Sequence, residues 1–385
     1  MRALTCGIAV TAVVVAGALP VTAAAATGPE YRPGRFTAAT PVRLHDTRSA
    51  TPVGPGATTR IVLGDRVPAD ATAVVLTLTV SAGTGTTVTP YAVGTPRSGP
   101  QLHLRAGEGR SAQVTIGLAG TRAVDVHNSA GQVNVIADLA GYYQPDTGAG
   151  FHGITPVRAA STTIPAKGTR HVGFAEHVPP DAVAVAVSIT AEGTAATHLT
   201  AFPKGAARPS IGGLPLSADE PRTHFAVVGL GADRSVSLYQ HTGTVDAVVD
   251  IVGFYTAAGG SAYVARTPLR EYDSRDDYPS GLPGLPIPPR SRAAFSVAGS
   301  IPADATGVVL GVTAIAPTDH TALTLWADAR APRPDVIALS APTGRTVSGT
   351  LALGVRPADL VTVYNSAGRT HVAVDLLGYF RGSGA

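Results

Sequence analysis

Sulfur is almost absent from this chain of 385 residues, which has one cysteine and one methionine, Cys6 and Met1. Both fall in the first 26 residues, a segment that reads as removable, so the remaining protein has neither a disulfide nor a reactive thiol to use. Charge is also sparse: 14% of residues are charged, the net charge is +3, and the arginines are scattered singly. That pattern excludes the basic stripe of a nucleic-acid binder. Lysine occurs only at Lys167 and Lys204 beside abundant arginine and alanine, a bias that GC-rich coding produces without functional meaning. No window shows a helical stripe of apolar residues. There is no Gly-x-Ser-x-Gly elbow, no His-Glu-x-x-His, no phosphate loop and no cysteine nucleophile, and the 11 histidines are dispersed. The sequence therefore points away from an enzyme and names no cofactor and no metal.

The start of the chain has the layout of a signal peptide, residues 1–26. Arg2 supplies the positive end, Ile8 to Val21 the apolar stretch, and Val21-Thr22-Ala23-Ala24-Ala25-Ala26 the small residues before cleavage. A membrane anchor needs roughly 20 uninterrupted apolar residues, and Thr11, Gly17 and Pro20 break this run. The expected location is secreted, extracellular or cell-wall associated, with no transmembrane segment in the mature chain.

The rest of the chain is written three times. Thr40-Pro41-Val42-Arg43 returns as Thr155-Pro156-Val157-Arg158 and Thr267-Pro268-Leu269-Arg270, and the closing Asp138 to Tyr143 returns as Asp250 to Tyr255 and Asp375 to Phe380. Short apolar runs bounded by Gly and Pro, such as Ala73 to Val80, predict strands. In the first repeat they fall near residues 41–45, 58–63, 72–80, 86–92, 101–105, 112–118, 122–127 and 132–143. The expected fold is all-β: three tandem β-sandwich modules, jelly-roll or immunoglobulin-like, at 36–143, 151–255 and 263–380. The Gly-rich links between them suggest three separate folded beads, each burying its own core.

The TPxR opening, the Asp-Thr/Ser-Arg triplet, the Val/Ile-Pro-x-Asp-Ala lead, the Asn-Ser-x-Gly turn and the Asp-x-x-Gly-aromatic-aromatic closure together resemble the tandem β-rich modules of secreted actinobacterial proteins. Those modules often stand beside N-acetylmuramoyl-L-alanine amidases. The resemblance runs from Phe36 to Phe380 and implies an envelope-associated module, without implying amidase chemistry. The middle repeat departs from it, having Arg158-Ala159-Ala160-Ser161 where the first has Arg43-Leu44-His45-Asp46.

Three sets of residues are candidates for a role. Asp138, Asp250 and Asp375 sit in apolar strands and need partners; Arg43, Arg158 and Arg270 of the same repeats are the expected ones, joining first strand to last. Asp46 and Arg48, with Asp273 and Arg275, lie past the first strand on the variable side, as a loop site or a local turn network. Asp273, Asp276 and Asp277 lack the spacing of a calcium loop. Tyr91, Phe202 and Trp326 are followed within six or seven residues by Arg97, Arg208 and Arg333. An aromatic face beside a guanidinium suits a sugar ring or a planar group, while a ring covering the core end is the plainer role. The expected function is envelope-associated binding, with cell-wall polysaccharide or another envelope protein as partner. The alternatives are a spacer without ligand and a glycan or peptide hydrolase with a site that no motif marks.

Overall fold

A computed structural model of the protein describes residues 31–99, 101–210, 213–276, 284–328, 330–356 and 360–382. The expected signal peptide 1–26 and Asp277 lie outside the described residues. The first repeat forms β1 (Arg35–Asp46), β2 (Thr58–Val62), β3 (Ala73–Ala82), β4 (Thr86–Ala92), β5 (Leu102–Leu104), β6 (Glu108–Gly117), β7 (Ala123–Asn128) and β8 (Val133–Gln144). The second forms β9 (Gly150–Ile164), β10 (Thr169–Gly173), β11 (Ala182–Gly193), β12 (Thr197–Pro203), β13 (Leu214–Leu216), β14 (Arg222–Gly229), β15 (Ser235–Gln240) and β16 (Val245–Thr256). The third forms β17 (Ser261–Asp273), β18 (Ser291–Ser296), β19 (Ala305–Ile315), β20 (Thr321–Ala327), β21 (Leu339–Ala341), β22 (Val347–Gly354), β23 (Leu360–Asn365) and β24 (His371–Gly382).

Every ladder between these strands is antiparallel, and the order of neighbours is the same each time. One sheet runs β1-β8-β3-β6 and its mate β2-β7-β4-β5, with β9-β16-β11-β14 and β10-β15-β12-β13, then β17-β24-β19-β22 and β18-β23-β20-β21 in the later repeats. Eight strands crossing between two sheets in that order make a jelly roll, the first of the two sandwich types expected. The turn before each last strand is pinned by an amide side chain: Asn128 donates to the Val53, Gly54 and Gly131 carbonyls, Asn365 to those of Ile287, Pro288 and Gly368. Gly131, Gly243 and Gly368 have φ of 56°, 70° and 55°, which a side chain would strain.

The three repeats are not separate beads. Val74, Leu76, Leu78 and Val80 of β3 fill the core of their own repeat, while Ala73 and Val75 on the other face join a cluster shared by all three. A sheet covered on both faces explains the continuous apolar run in β3, where a half-exposed strand would alternate. The first sheets of repeats two and three meet at Ser261 and Phe151 to form one eight-stranded sheet. Repeat one attaches through Gly34 to Tyr263 of repeat three and Phe36 to Ala149 of the link.

At this junction six rings close a circle. Phe36 and Tyr143 come from repeat one, Phe151 and Tyr255 from repeat two, Tyr263 and Phe380 from repeat three, and all are 2% exposed or less. Centroids within a repeat are 5.4, 5.2 and 5.4 Å apart; between repeats Tyr143 meets Tyr263 at 4.7 Å, Phe380 meets Phe151 at 4.0 Å and Tyr255 meets Phe36 at 4.9 Å. The Tyr143 and Tyr255 hydroxyls bond each other at 2.7 Å. This circle is why the closing phrase carries glycine: a Cβ on Gly141, Gly253 or Gly378 would stand 2.5, 2.5 or 2.4 Å from Phe36, Phe151 or Tyr263.

The opposite end of the same axis is ionic. Along β3, Ala73 pairs with Tyr143 and Ala82 with Glu108, so the two ends are about 30 Å apart. Glu108 takes Arg110 of its own repeat at 3.0 Å, Arg222 of repeat two at 3.3 Å, and Arg345 of repeat three. Glu220 takes Arg222 at 3.1 Å and Arg345 at 2.5 Å. Burial works against the ionised Glu108, but Arg110, the Arg105 amide and Arg345 outweigh it and hold the carboxyl below its usual range. Burial pulls Arg110 down to about 10.

Between the two ends, His224 of β14 is buried and hydrogen-bonded to the Ser111 backbone of repeat one. Burial lowers its pKa from 6.5 to about 4. A histidine neutral in the fold and protonated in the unfolded chain leaves stability intact above pH 6.5 and removes it as pH falls toward 4; the loss is about 3 kcal/mol. In urea titrations across that range, His224→Met should therefore lose less stability than the native protein. Parallel pH profiles would remove this assignment.

Candidate functional site

The repeated arginines and aspartates meet in each repeat. Arg43 Nε donates to Asp138 at 2.6 Å, Arg158 Nε donates to Asp250, and Arg270 Nε donates to Asp375 at 2.6 Å. They lie on the sheet face turned toward the neighbouring repeat, since Ala137 and Leu139 on either side of Asp138 enter the core. Burial, the largest influence, raises the Asp138 and Asp250 carboxyls despite their arginines. The Asp138 and Asp250 side chains are each 1% exposed and that of Asp375 is 30% exposed. Alanine at Asp138 or Asp250 strands a partly buried guanidinium and should cost about 2 kcal/mol, while Asp375→Ala costs less than about 1. Thermal unfolding checks that order, and equal losses at all three would contradict it.

The Asp-Thr/Ser-Arg triplets form turns closed on themselves. Asp46 accepts from the Arg48 amide at 3.0 Å and from the Arg48 and Arg43 guanidiniums. Asp273 accepts from the Arg275 amide at 3.0 Å and from the Arg275 and Arg270 side chains, and Arg275 holds its carboxyl at about 2. The middle residue is a clasp on the last strand: Thr47 accepts from the Val135 amide at 2.8 Å and Ser274 from the Val372 amide at 2.9 Å. The middle repeat lacks the triplet, and there β9, past a register shift between Arg158 and Ala160, stays paired with β16 through Ile164. Its Arg158 reaches instead to the Asp335 carbonyl of repeat three, at 3.0 Å. Among the described residues no three His, Cys, Asp or Glu side chains gather as a metal site.

The expected pairing of Tyr91, Phe202 and Trp326 with Arg97, Arg208 and Arg333 is corrected by the structure. The arginines fold onto β7, β15 and β23 instead. Arg97 bonds His127 at 2.8 Å, Arg208 lies 3.9 Å over the Tyr239 ring, and Arg333 lies 4.4 Å over Tyr364. Trp326 and Phe202 are buried, at 1% and 7% exposure, and Tyr91 is half-buried. These partners were hidden from sequence reading because they lie about 30 residues downstream of each arginine, with no shared residue type between His127 and the two tyrosines.

The loops that carry these residues meet the next repeat, and in two cases a cleft lies between them. Tyr91 and Ser98 pack beside Thr267 and Leu377 of repeat three, and a cavity of about 280 Å³ opens next to them between the first and third repeats. Phe202 and Arg208 face Ala38 to Pro41 and Ala140 of repeat one across about 690 Å³. Ile337 borders a recess of about 520 Å³ on repeat two, where its amide donates to Asp250 at 2.8 Å.

No family model matches the sequence, and no curated protein is similar to it. Among solved structures the chain is similar to one described in "Life in the extremes: atomic structure of Sulfolobus Turreted Icosahedral Virus", with 10% identity over 87% of this chain and 86% of that one, at a TM-score of 0.20. A second, from "The Triple Jelly Roll Fold and Turret Assembly in an Archaeal Virus", has 10% identity over 91% and 90%, at a TM-score of 0.21. Likeness at those TM-scores lends this chain no function.

Proposed function

We propose that this protein is a non-enzymatic binding unit on the outside of the cell envelope, with cell-wall glycan as the class of target. The observation that carries the proposal is a pair of clefts, one where the loop of repeat one meets repeat three and one where the loop of repeat two meets repeat one. Clefts between packed units are where small ligands and polymer segments are held. A pure spacer fits less well, since spacing calls for modules end to end and these are gathered about one axis. The repeated carboxylates favour binding over hydrolysis: each is tied to an arginine, whereas glycoside cleavage needs a carboxyl free to give its proton to the leaving group. Purified mature protein mixed with insoluble cell wall should sediment with it at moderate salt. Complete recovery in the supernatant would overturn the proposal.

A further inference from the structure

We infer that the cleft between the first and third repeats is a site for a neutral polyol the size of one sugar residue; this deepens the glycan-binding proposal and rests on it. Of four equivalent places in a row, two differ among the three repeats. Across the first sheet the row reads Arg43, Asp138, Thr77, Gln113 in repeat one and Arg158, Asp250, Ser188, Phe225 in repeat two. In repeat three it reads Arg270, Asp375, Gly311, Thr350.

The first row borders the cavity of about 690 Å³ with Thr77 and Gln113, and the second is filled. Gln113 crosses to repeat two, where it accepts from the Val227 amide at 2.6 Å and donates to the Val227 carbonyl at 3.5 Å. Phe225 fills its place with a ring that is 9% exposed. In the third row Gly311 and Thr350 are the smallest residues at their places, and the cavity of about 280 Å³ opens there. Thr350 is 5% exposed and its hydroxyl has no partner among the described residues. A buried hydroxyl without a hydrogen bond is costly, and a ligand or an ordered water removes the cost.

Asp375 is open for a related reason. The amide that covers Asp250 belongs to Ile337, two residues before Leu339, which pairs with Leu323. In the first repeat's loop the corresponding leucine is Leu102, paired with Val88. The residue two before it is Pro100, which has no N–H to offer. Asp375 lines the cavity with a side chain that is 30% exposed, whereas Asp250 accepts the Ile337 amide and is 1% exposed.

The charges select the ligand. Arg270 and Arg275 are matched by Asp273 and Asp375, so an ionic guest would lose its hydration without gaining a counter-charge. A neutral guest with several hydroxyls donates to Asp375, accepts from the guanidiniums and pairs with Thr350. Its C–H face rests on Leu102 and Val114 of repeat one. The volume lies at the low end for small-molecule sites, roughly 300 Å³, which suits a single ring.

The test is saturation-transfer NMR on the full mature protein with glucose, galactose and N-acetylglucosamine as separate probes. Gly311→Thr installs the residue found in repeat one; a Cβ there meets Leu377 at 3.5 Å, an ordinary contact, so the fold is retained. Thr350→Gln copies Gln113, and Asp375→Asn removes the charge without changing volume. At least one sugar should bind saturably to the native protein, and each variant should weaken it by roughly tenfold or more with an unchanged melting temperature. Binding of no probe, or equal binding by native protein and all three variants, overturns the inference. Wall sedimentation run in parallel separates the two proposals. Sugar binding without sedimentation removes the wall-glycan proposal alone, and equal sedimentation of native protein and Gly311→Thr removes the cleft alone.

Discussion

Glu108→Ala should destabilise the whole protein by about 4 kcal/mol, because three arginines then share the buried end of the axis with Glu220 alone. The Glu108 side chain is 6% exposed, and so is that of Arg345, so water cannot replace the lost partner. Equilibrium urea unfolding measures the loss, which should appear as a lower midpoint of one transition, since the cluster draws on all three repeats. The same carboxylates set an acid limit. Glu108 and Glu220 are both held below their unfolded value of 4.5. Their contribution is complete above that pH and is lost as pH falls through the folded values. A variant with native stability, or one losing stability in a single repeat while the others melt as before, would show that the cluster does not couple the repeats.

Phe151→Ala should cost a similar amount, about 4 kcal/mol, by opening a cavity in the aromatic circle. Phe151 is 1% exposed, stacks on Phe380 at 4.0 Å and leans on Tyr255 at 5.2 Å. The substitution therefore removes contacts of repeat two with repeat three as well as a contact of its own. Val62→Ala on the exposed side of β2, 64% accessible, is the control and should change stability by less than about 0.5 kcal/mol. Hydrogen exchange should quicken in β9 and β17 together, because the two strands meet at Phe151 and Ser261. Exchange changing only in β9 would place Phe151 in the interior of its own repeat and not at a joint.

Much of the fold was legible because a strand's period of two and the glycines of its turns are local properties. The eight strands of repeat one lie close to where the runs of Val, Leu and Thr put them; β1 and β6 start well before their expected positions, because Arg35 to Ala38 pair with Gly141 to Gln144 and Glu108 to Ser111 pair with Thr79 to Ala82. The packing of repeats was not legible in the same way. Phe36, Phe151 and Tyr263 precede their TPxR phrases by four residues, and their common role is visible only once the rings are seen to meet. A stronger hint was available in β3 and β11, whose uninterrupted apolar runs do not suit a sheet with one face in water. At the candidate site, partners within one repeat were readable from opposite charge on first and last strands. The arginine partners His127, Tyr239 and Tyr364 were not: the spacing of about 30 residues recurs, but no shared residue type marks it.

The exchange of a glutamate for Arg345 at the axis also fixes the order of the parts. Thr79 bonds Ser111, Thr190 bonds Thr223 and Thr313 bonds Ser348; three residues before the second member of each pair stand Glu108, Glu220 and Arg345. Three copies of the first repeat would leave each Glu108 with only its own Arg110 and would lose Arg345, which joins repeat three to both Glu108 and Glu220. Held on one polypeptide, the ring also escapes mass action. An assembly of loose subunits dissociates when diluted, whereas this one keeps its geometry at any concentration.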